Sequence, residues 1–290
     1  MKDQAEMLRS RMREQSDSKT ARTIAVVSGK GGVGKSNFSV NFALELIKNE
    51  KRVLLFDLDI GMGNIDILLG LSPAYSFVDL FEDKRSLDDI IEIGPHSLSF
   101  IAGGSGLSQI FQLDNNRFEY FQQQFDRLLL KYDYILFDMG AGATEDSLSF
   151  IRSSDEVIVV TTPEPTSMTD GYAMIKHLVN RDKQLPMHLL VNRTYKRSQG
   201  TDTFDRLQMV SRKFLQKDIS LLGVLPDDQS VLAAVHHQQP FCSFAPKSQV
   251  SRALKQITLD YLDRANPPSY GGSSTFIGKL KRFVFERERR

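Results

Sequence analysis

A single cysteine, Cys242, is all the thiol chemistry that this 290-residue sequence carries. One thiol cannot close a disulfide within the chain, which fits a reducing compartment, and it cannot hold an iron–sulfur cluster, which needs several thiolates. Its setting between Phe241 and Phe244 reads as a small buried apolar side chain. An excess of charge is also lacking: 37 Lys and Arg face 36 Asp and Glu, a formal +1. No global field draws the chain to nucleic acid or to a membrane, and no nucleic-acid partner is expected. No apolar run approaches the ~20 residues of a spanning helix. The opening run MKDQAEMLRSRMREQ is charged throughout, so no secretory signal is expected there. His236 and His237 are adjacent, so a strand would turn them to opposite faces and a helix would splay them, which suits no shared metal. No nucleophile elbow with a serine–histidine–acid pattern is found either.

What is present centres on Lys30 to Ser36, KGGVGKS, directly after the apolar run Thr23 to Ser28. A strand that ends in a glycine-rich loop and opens onto a helix presents a row of backbone N–H groups and a positive dipole end to bound phosphate. Gly31, Gly32, Val33 and Gly34 form the loop. Lys35 reaches the β- and γ-phosphates, the Ser36 hydroxyl ligates magnesium and Asn37 opens the helix, as the phosphate-loop pattern requires.

From Thr23 onward, short β-branched runs alternate with helical patterns, which predicts parallel strands joined by crossover helices. Strands are expected at 23–28, 52–57, 98–102, 134–138, 156–161, 187–191 and 220–224, and helices at 37–49, 115–131, 168–180, 203–215 and 250–264. The fold class is therefore α/β, a doubly wound and mostly parallel sheet. In such sheets ligands sit beyond the carboxyl ends of the strands. Asp57 and Asp59, Asp138 and Asn192 all fall there. Magnesium on a triphosphate takes carboxylates mostly through water, a role that suits Asp138, and Gly140 after it would supply an N–H to the γ-phosphate. Asp57 and Asp59 face the same way if their segment stays extended.

Four regions follow: an N-terminal segment 1–22, a nucleotide-binding domain 23–265, a linker 266–274 that reads NPPSYGGSS, and a tail 275–290. In the tail Phe276, Ile277, Leu280, Phe283 and Val284 recur at helical spacing, with Lys279 and Lys281 beside them. Its basic excess and its place after a linker favour an amphipathic helix that lies on an anionic membrane surface, with packing on its own core as the alternative.

Lys30, early in the loop and followed by Gly31 and Gly32, resembles the deviant Walker A of the MinD/ParA ATPases. DLDIGMGNIDILLG, FDMGAG, PEPTSMTDGYAMIK and VNR resemble the MinD branch, so the resemblance covers almost the whole core. It implies ATP and Mg2+ as ligands and a homodimer in the ATP state in which Lys30 crosses to the other protomer's nucleotide. It further implies that Asp59 orients the attacking water, that Asp57 meets magnesium through water alongside Asp138, that Asn192 bonds adenine, and that Pro226, Asp227 and Asp228 form the base-and-ribose loop. Lys30 and Lys35 would supply charge to a slow, switch-like hydrolysis.

DQAEMLR, Asp3 to Arg9, resembles the activating motif of the flagellar branch, the FlhG, YlxH or FleN proteins, and SNFSVNFA after Lys35 also resembles that branch. The resemblance implies control of flagellar number and placement from the cytoplasm with reversible membrane association, and contacts with flagellar cytoplasmic-ring proteins. It also implies stimulation of the GTPase FlhF through Asp3, Gln4, Ala5, Leu8 and Arg9, with Gln4 the key residue. A division-site MinD and a DNA-partitioning ParA-like ATPase remain the alternatives.

Overall fold

The computed structural model describes residues 20–59, 63–82, 85–103, 114–264 and 276–286. The N-terminal motif Asp3 to Arg9 and the linker 266–274 lie outside the described residues. The first half runs β1 (Arg22–Val27), α1 (Lys35–Lys48), β2 (Val53–Leu58), α2 (Ile65–Leu69), α3 (Asp79–Glu82), β3 (Glu92–Ile93), β4 (Ser99–Ile101), α4 (Asn115–Lys131) and β5 (Tyr134–Met139). The second half runs α5 (Glu145–Ser153), β6 (Glu156–Thr161), α6 (Pro165–Val179), β7 (Met187–Thr194), α7 (Arg197–Val210), β8 (Ser220–Pro226), α8 (Gln229–His236), α9 (Phe241–Phe244), α10 (Gln249–Arg264) and α11 (Phe276–Glu286).

The strands form one eight-stranded sheet in the order β3-β4-β2-β5-β1-β6-β7-β8. All pair in parallel except the short edge strand β3, which runs antiparallel to β4. β2, β5 and β6 are buried along their full length, as apolar strands covered on both faces must be. One core layer lies under α4, α5, α6 and α11, with Phe118, Phe121, Phe125, Phe137 and Phe150 in it. The opposite layer lies under α1, α9 and α10, with Phe38, Phe42, Phe241 and Tyr261. The strand order reverses at β1, between β5 and β6, and so places the loop after β1 at the switch point where ligands bind.

The expected strands and long helices are present, with ends displaced by up to a few residues. β3 and the short helices α2, α3, α5, α8 and α9 were not expected from the sequence. α5 carries three serines and is only nine residues long. It forms because Thr144 and Ser147 make a reciprocal capping box and because Leu148, Phe150 and Ile151 are buried. α7 begins six residues before its expected start and ends in a π-helical turn, Ser211–Leu215, with Gln216 left-handed at φ 51°.

The tail forms its expected helix, but not as a free surface helix. Phe276, Ile277, Leu280 and Val284 are all buried, against α4 and α5. Phe276 stacks on Phe125 and Phe137 at 5.0 and 5.1 Å between centroids and meets Phe150 edge-on at 5.1 Å. The Arg152 guanidinium covers the Phe283 ring at 4.2 Å, and Lys281 pairs with Glu119 at 3.6 Å. The sequence left open whether this stripe meets a membrane surface or its own core, and in the described residues it packs on the core. The reason is an aromatic groove, assembled from three separate elements, that no local pattern announces. Among the described residues no helix is long and apolar enough to cross a membrane.

Candidate nucleotide site

β1 ends at Val27 and hands the chain to a loop whose Gly32 and Gly34 have φ of 76° and 92°, a region that side chains with a Cβ avoid. Ser28 Oγ donates to the Lys30 carbonyl at 3.0 Å and holds the loop's entry. α1 then starts at Lys35 with Gly34 as a cap that offers no side-chain acceptor, and without an acidic residue in its first turn. Its leading N–H groups thus point at the loop with nothing competing for them, which is what a phosphate needs. On the other side α6 packs directly onto the loop's base: a methyl group on Gly29 would lie 2.0 Å from the Asp170 carbonyl oxygen.

The two buried acids come from adjacent strands, with Asp57 and Asp138 in register across the β2–β5 pair. Lys35 Nζ donates to Asp138 Oδ1 at 2.9 Å, and Ser39 Oγ donates to the same oxygen at 2.8 Å. Lys35 also lies 3.3 Å from Ser36 Oγ, so lysine, hydroxyl and carboxylate converge beside the loop. Burial, reinforced by the negative Asp138, pushes the Asp57 carboxyl up to about 6 against the pull of three backbone hydrogen bonds. Asp59 is half-buried; burial raises its pKa, Lys35 opposes the rise and Asp138 adds to it. It lies close to Gly140, where a methyl group would sit 3.0 Å from Asp59 Oδ1.

The Ser36 hydroxyl and the Asp138 carboxylate, both within reach of Lys35, are hard oxygen donors beside the loop, and they would fit Mg2+ held mostly through phosphate and water. The ion would neutralise charge on the transferring phosphoryl group.

Lys30 is exposed, with 43 % of its side chain accessible, and among the described residues makes only long contacts, to Glu164 Oε2 at 3.4 Å and Thr166 Oγ1 at 3.3 Å. Asn192 donates from Nδ2 to the Val33 carbonyl at 2.8 Å and thereby ties β7 to the loop, which leaves its own carbonyl oxygen as an acceptor for an amine. A cleft beside it is lined by Gly34, Asn37, Asn192, Arg193, Pro226 and Asp227. Asp228 also lines it, but its carboxylate caps α8 through Ser230 N at 2.9 Å and accepts from Val250 N at 3.3 Å. These bonds hold its pKa down against burial, and Asp228 shapes the loop more than it offers a free acceptor. The sequence reading missed Ser39, one helical turn after Lys35 and findable by that spacing. Glu164, Arg193 and Phe241 were also missed, and no local signal marks them.

A family model covers residues 19–261, that of ParA, described as NUBPL iron-transfer P-loop NTPase. The chain belongs to the ParA family of P-loop NTPases. It is 36% identical over 247 residues to the antiactivator FleN of Pseudomonas aeruginosa, spanning 85% of this chain and 88% of that one. It is 34% identical to the flagellum site-determining protein YlxH of Helicobacter pylori, over 81% and 79% of the two chains. It is 31% identical to the septum site-determining protein MinD of Bacillus subtilis, over 84% and 90%. Among solved structures, this ParA-family chain is similar to the Pyrococcus furiosus cell division ATPase MinD, with a TM-score of 0.68, 25% identity and coverage of 84% and 100%. The MinD of Pyrococcus horikoshii, solved with Mg-ADP, shares the fold with a TM-score of 0.67 at 24% identity, over 84% of this chain and 96% of that one.

Proposed function

We propose that this chain is a Mg2+-dependent ATPase that dimerises on binding ATP and acts as a switch in setting the number and placement of flagella. The observation that carries the ATPase reading is the convergence of Lys35, Ser36 and Asp138 within hydrogen-bonding distance, with Asp59 at the same strand ends. In this reading the loop N–H groups and Lys35 hold the phosphates, Asp59 orients the attacking water, and Asn192 with the Pro226–Asp227 loop holds the base. Lys30, exposed and only loosely held, is free to reach a second protomer's nucleotide. The flagellar reading rests on similarity to two flagellar proteins, at 36% and 34% identity, against 30% to 33% for the septum site-determining proteins. The iron-transfer description of the family model is not carried over, because Cys242 is the sequence's only thiol and burial pushes its pKa up to about 11.

Stimulation of the GTPase FlhF through Asp3 to Arg9, contact with flagellar cytoplasmic-ring proteins and reversible attachment to an anionic membrane through α11 belong to the same proposal. Attachment must then begin with undocking. The four buried side chains of the stripe are each worth ~1.5–3 kcal/mol of burial. Lipid can replace that burial for the helix, but the aromatic groove left behind must be closed or covered as well.

Light scattering after size exclusion tests the switch. Asp59→Ala should bind ATP, stop hydrolysing and accumulate as dimer, whereas Lys30→Ala should weaken dimerisation itself. A Lys30→Ala protein that dimerises in ATP as wild type does would remove Lys30 from the interface, and an Asp59→Ala protein that hydrolyses normally would remove Asp59 from catalysis.

A further inference from the structure

Two carboxylates stand side by side at the ends of β2 and β5, and their company differs. Asp138 receives side chains, Lys35 and Ser39, from the helix after the phosphate loop. Among the described residues Asp57 receives only backbone. Its Oδ1 accepts from Asp59 N at 3.1 Å, and its Oδ2 accepts from Asn64 N at 2.9 Å and Ile65 N at 3.2 Å. Those donors bracket one segment, the loop that leaves β2 and enters α2. Asn64, the residue that precedes α2, supplies no side-chain cap of its own. A strand-end aspartate does that work from a distance, and the same carboxylate holds the backbone of Asp59.

The packing around Asp57 leaves it little freedom. It is 1% exposed. A methyl group on Gly63 would sit 3.1 Å from Oδ2, and one on Gly103 would sit 3.0 Å from Cγ. The carboxylate is thus wedged between two glycines, Gly63 from the loop whose backbone also engages its oxygens and Gly103 from the loop after β4. A group held that way sets the direction of its neighbours.

We infer that Asp57 is a positioning residue for hydrolysis: its carboxylate fixes the backbone of Asp59 and the first turn of α2, and so sets where Asp59 points, rather than acting through magnesium. The inference rests on the reading of Asp59 as the residue that orients water. A carboxylate is required at this position because it only accepts hydrogen bonds. An amide would turn an NH2 toward at least one of the three N–H donors.

The test uses the full chain and separates the two roles. For Asp57→Asn, single-turnover hydrolysis should fall roughly 10- to 100-fold, the range that an ångström-scale misplacement produces. Affinity for fluorescent ADP, and the Mg2+ concentration for half-maximal activity, should stay within about twofold of wild type. Backbone hydrogen exchange over residues 63–69 should quicken. Gly63→Ala crowds the same carboxylate without changing its charge, and should slow hydrolysis and quicken exchange in the same direction, with the same unchanged Mg2+ midpoint. A Mg2+ midpoint displaced by about tenfold or more in Asp57→Asn, with exchange unchanged, would make Asp57 a magnesium partner and overturn the inference. So would unchanged turnover and exchange in Gly63→Ala, which covers the case in which Asp57→Asn does not fold. Full activity in Asp57→Asn beside an inactive Asp59→Ala sinks this inference alone. Full activity in Asp59→Ala sinks the reading beneath it.

Discussion

Truncating Phe276 to alanine puts the docked tail to a quantitative test. The ring is 3% exposed and touches three core aromatics, at 5.0 Å from Phe125, 5.1 Å from Phe137 and 5.1 Å from Phe150. Removing a buried Phe of this kind costs about 3–5 kcal/mol in transfer and cavity terms. α11 follows a linker, however, so the loss has a ceiling: once the helix detaches, no further destabilisation accrues, and the cost stops at the docking free energy of α11. Phe276→Ala should therefore lower the unfolding free energy measured in urea by the smaller of these two quantities. Hydrogen exchange should quicken in α4 and α5, whose Phe125 and Phe150 lose their cover, and stay unchanged in α1 and α10 on the far face of the sheet. Ile277, Leu280 and Val284 would then be freed together, so sedimentation with anionic vesicles in the absence of nucleotide should rise. Unchanged stability together with unchanged exchange would refute the docking argument. Faster exchange in α4 and α5 without any gain in vesicle binding would refute the membrane role while leaving the docking intact.

Three further outcomes are expected. Gly29→Ala would drive a methyl group to 2.0 Å from the Asp170 carbonyl oxygen, so it should abolish nucleotide binding, as measured by fluorescent-ADP titration, through displacement of the loop from α6. Glu156, buried at the start of β6, accepts from Arg22 at 2.9 Å and His188 at 3.1 Å and from the Tyr261 hydroxyl; burial pushes its pKa up, but these partners outweigh that and hold it below the usual 4.5. A lowered folded pKa means that the unfolded chain binds the extra proton, so this stabilisation is present above about pH 4.5 and lost as pH falls, and Glu156→Gln should flatten the acid limb of stability against pH while costing roughly 1.5–3 kcal/mol at neutral pH. A peptide of residues 1–22 should accelerate GTP hydrolysis by FlhF, and Gln4→Ala should remove most of the gain; a peptide without effect at saturation would end the proposal for Asp3 to Arg9 and favour the division-site reading.

How much of this was legible beforehand follows from the range over which each interaction acts. The phosphate loop is local: three glycines, a lysine and a serine must stand at fixed spacing after a strand, and the chemistry needs nothing from elsewhere to be recognised. The β-branched runs are local too, because burial on both faces makes each strand nearly all apolar, as Val53–Leu58 and Glu156–Thr161 illustrate. Short helices such as α5 and α8 are not, because their stability comes from capping and from neighbours rather than from propensity.

The sequence by itself determined that a phosphate-loop motif follows the first strand, that the sheet is mostly parallel, and that a helix with one apolar stripe ends the described chain. Each is written in a period of two, a period of 3.6 or a contiguous motif. Only the tertiary structure decided what that stripe faces, since Phe125, Phe137 and Phe150 come from α4, β5 and α5 and meet only when the layers close. It also decided the division of labour between Asp57 and Asp138. The two look alike in sequence, each an acid at a strand end, yet one meets the side chains of α1 and the other the backbone that leads into α2. Alternation along a strand tells which way a carboxylate points; which loop arrives to meet it is set by the packing of elements that the strand's own residues do not encode.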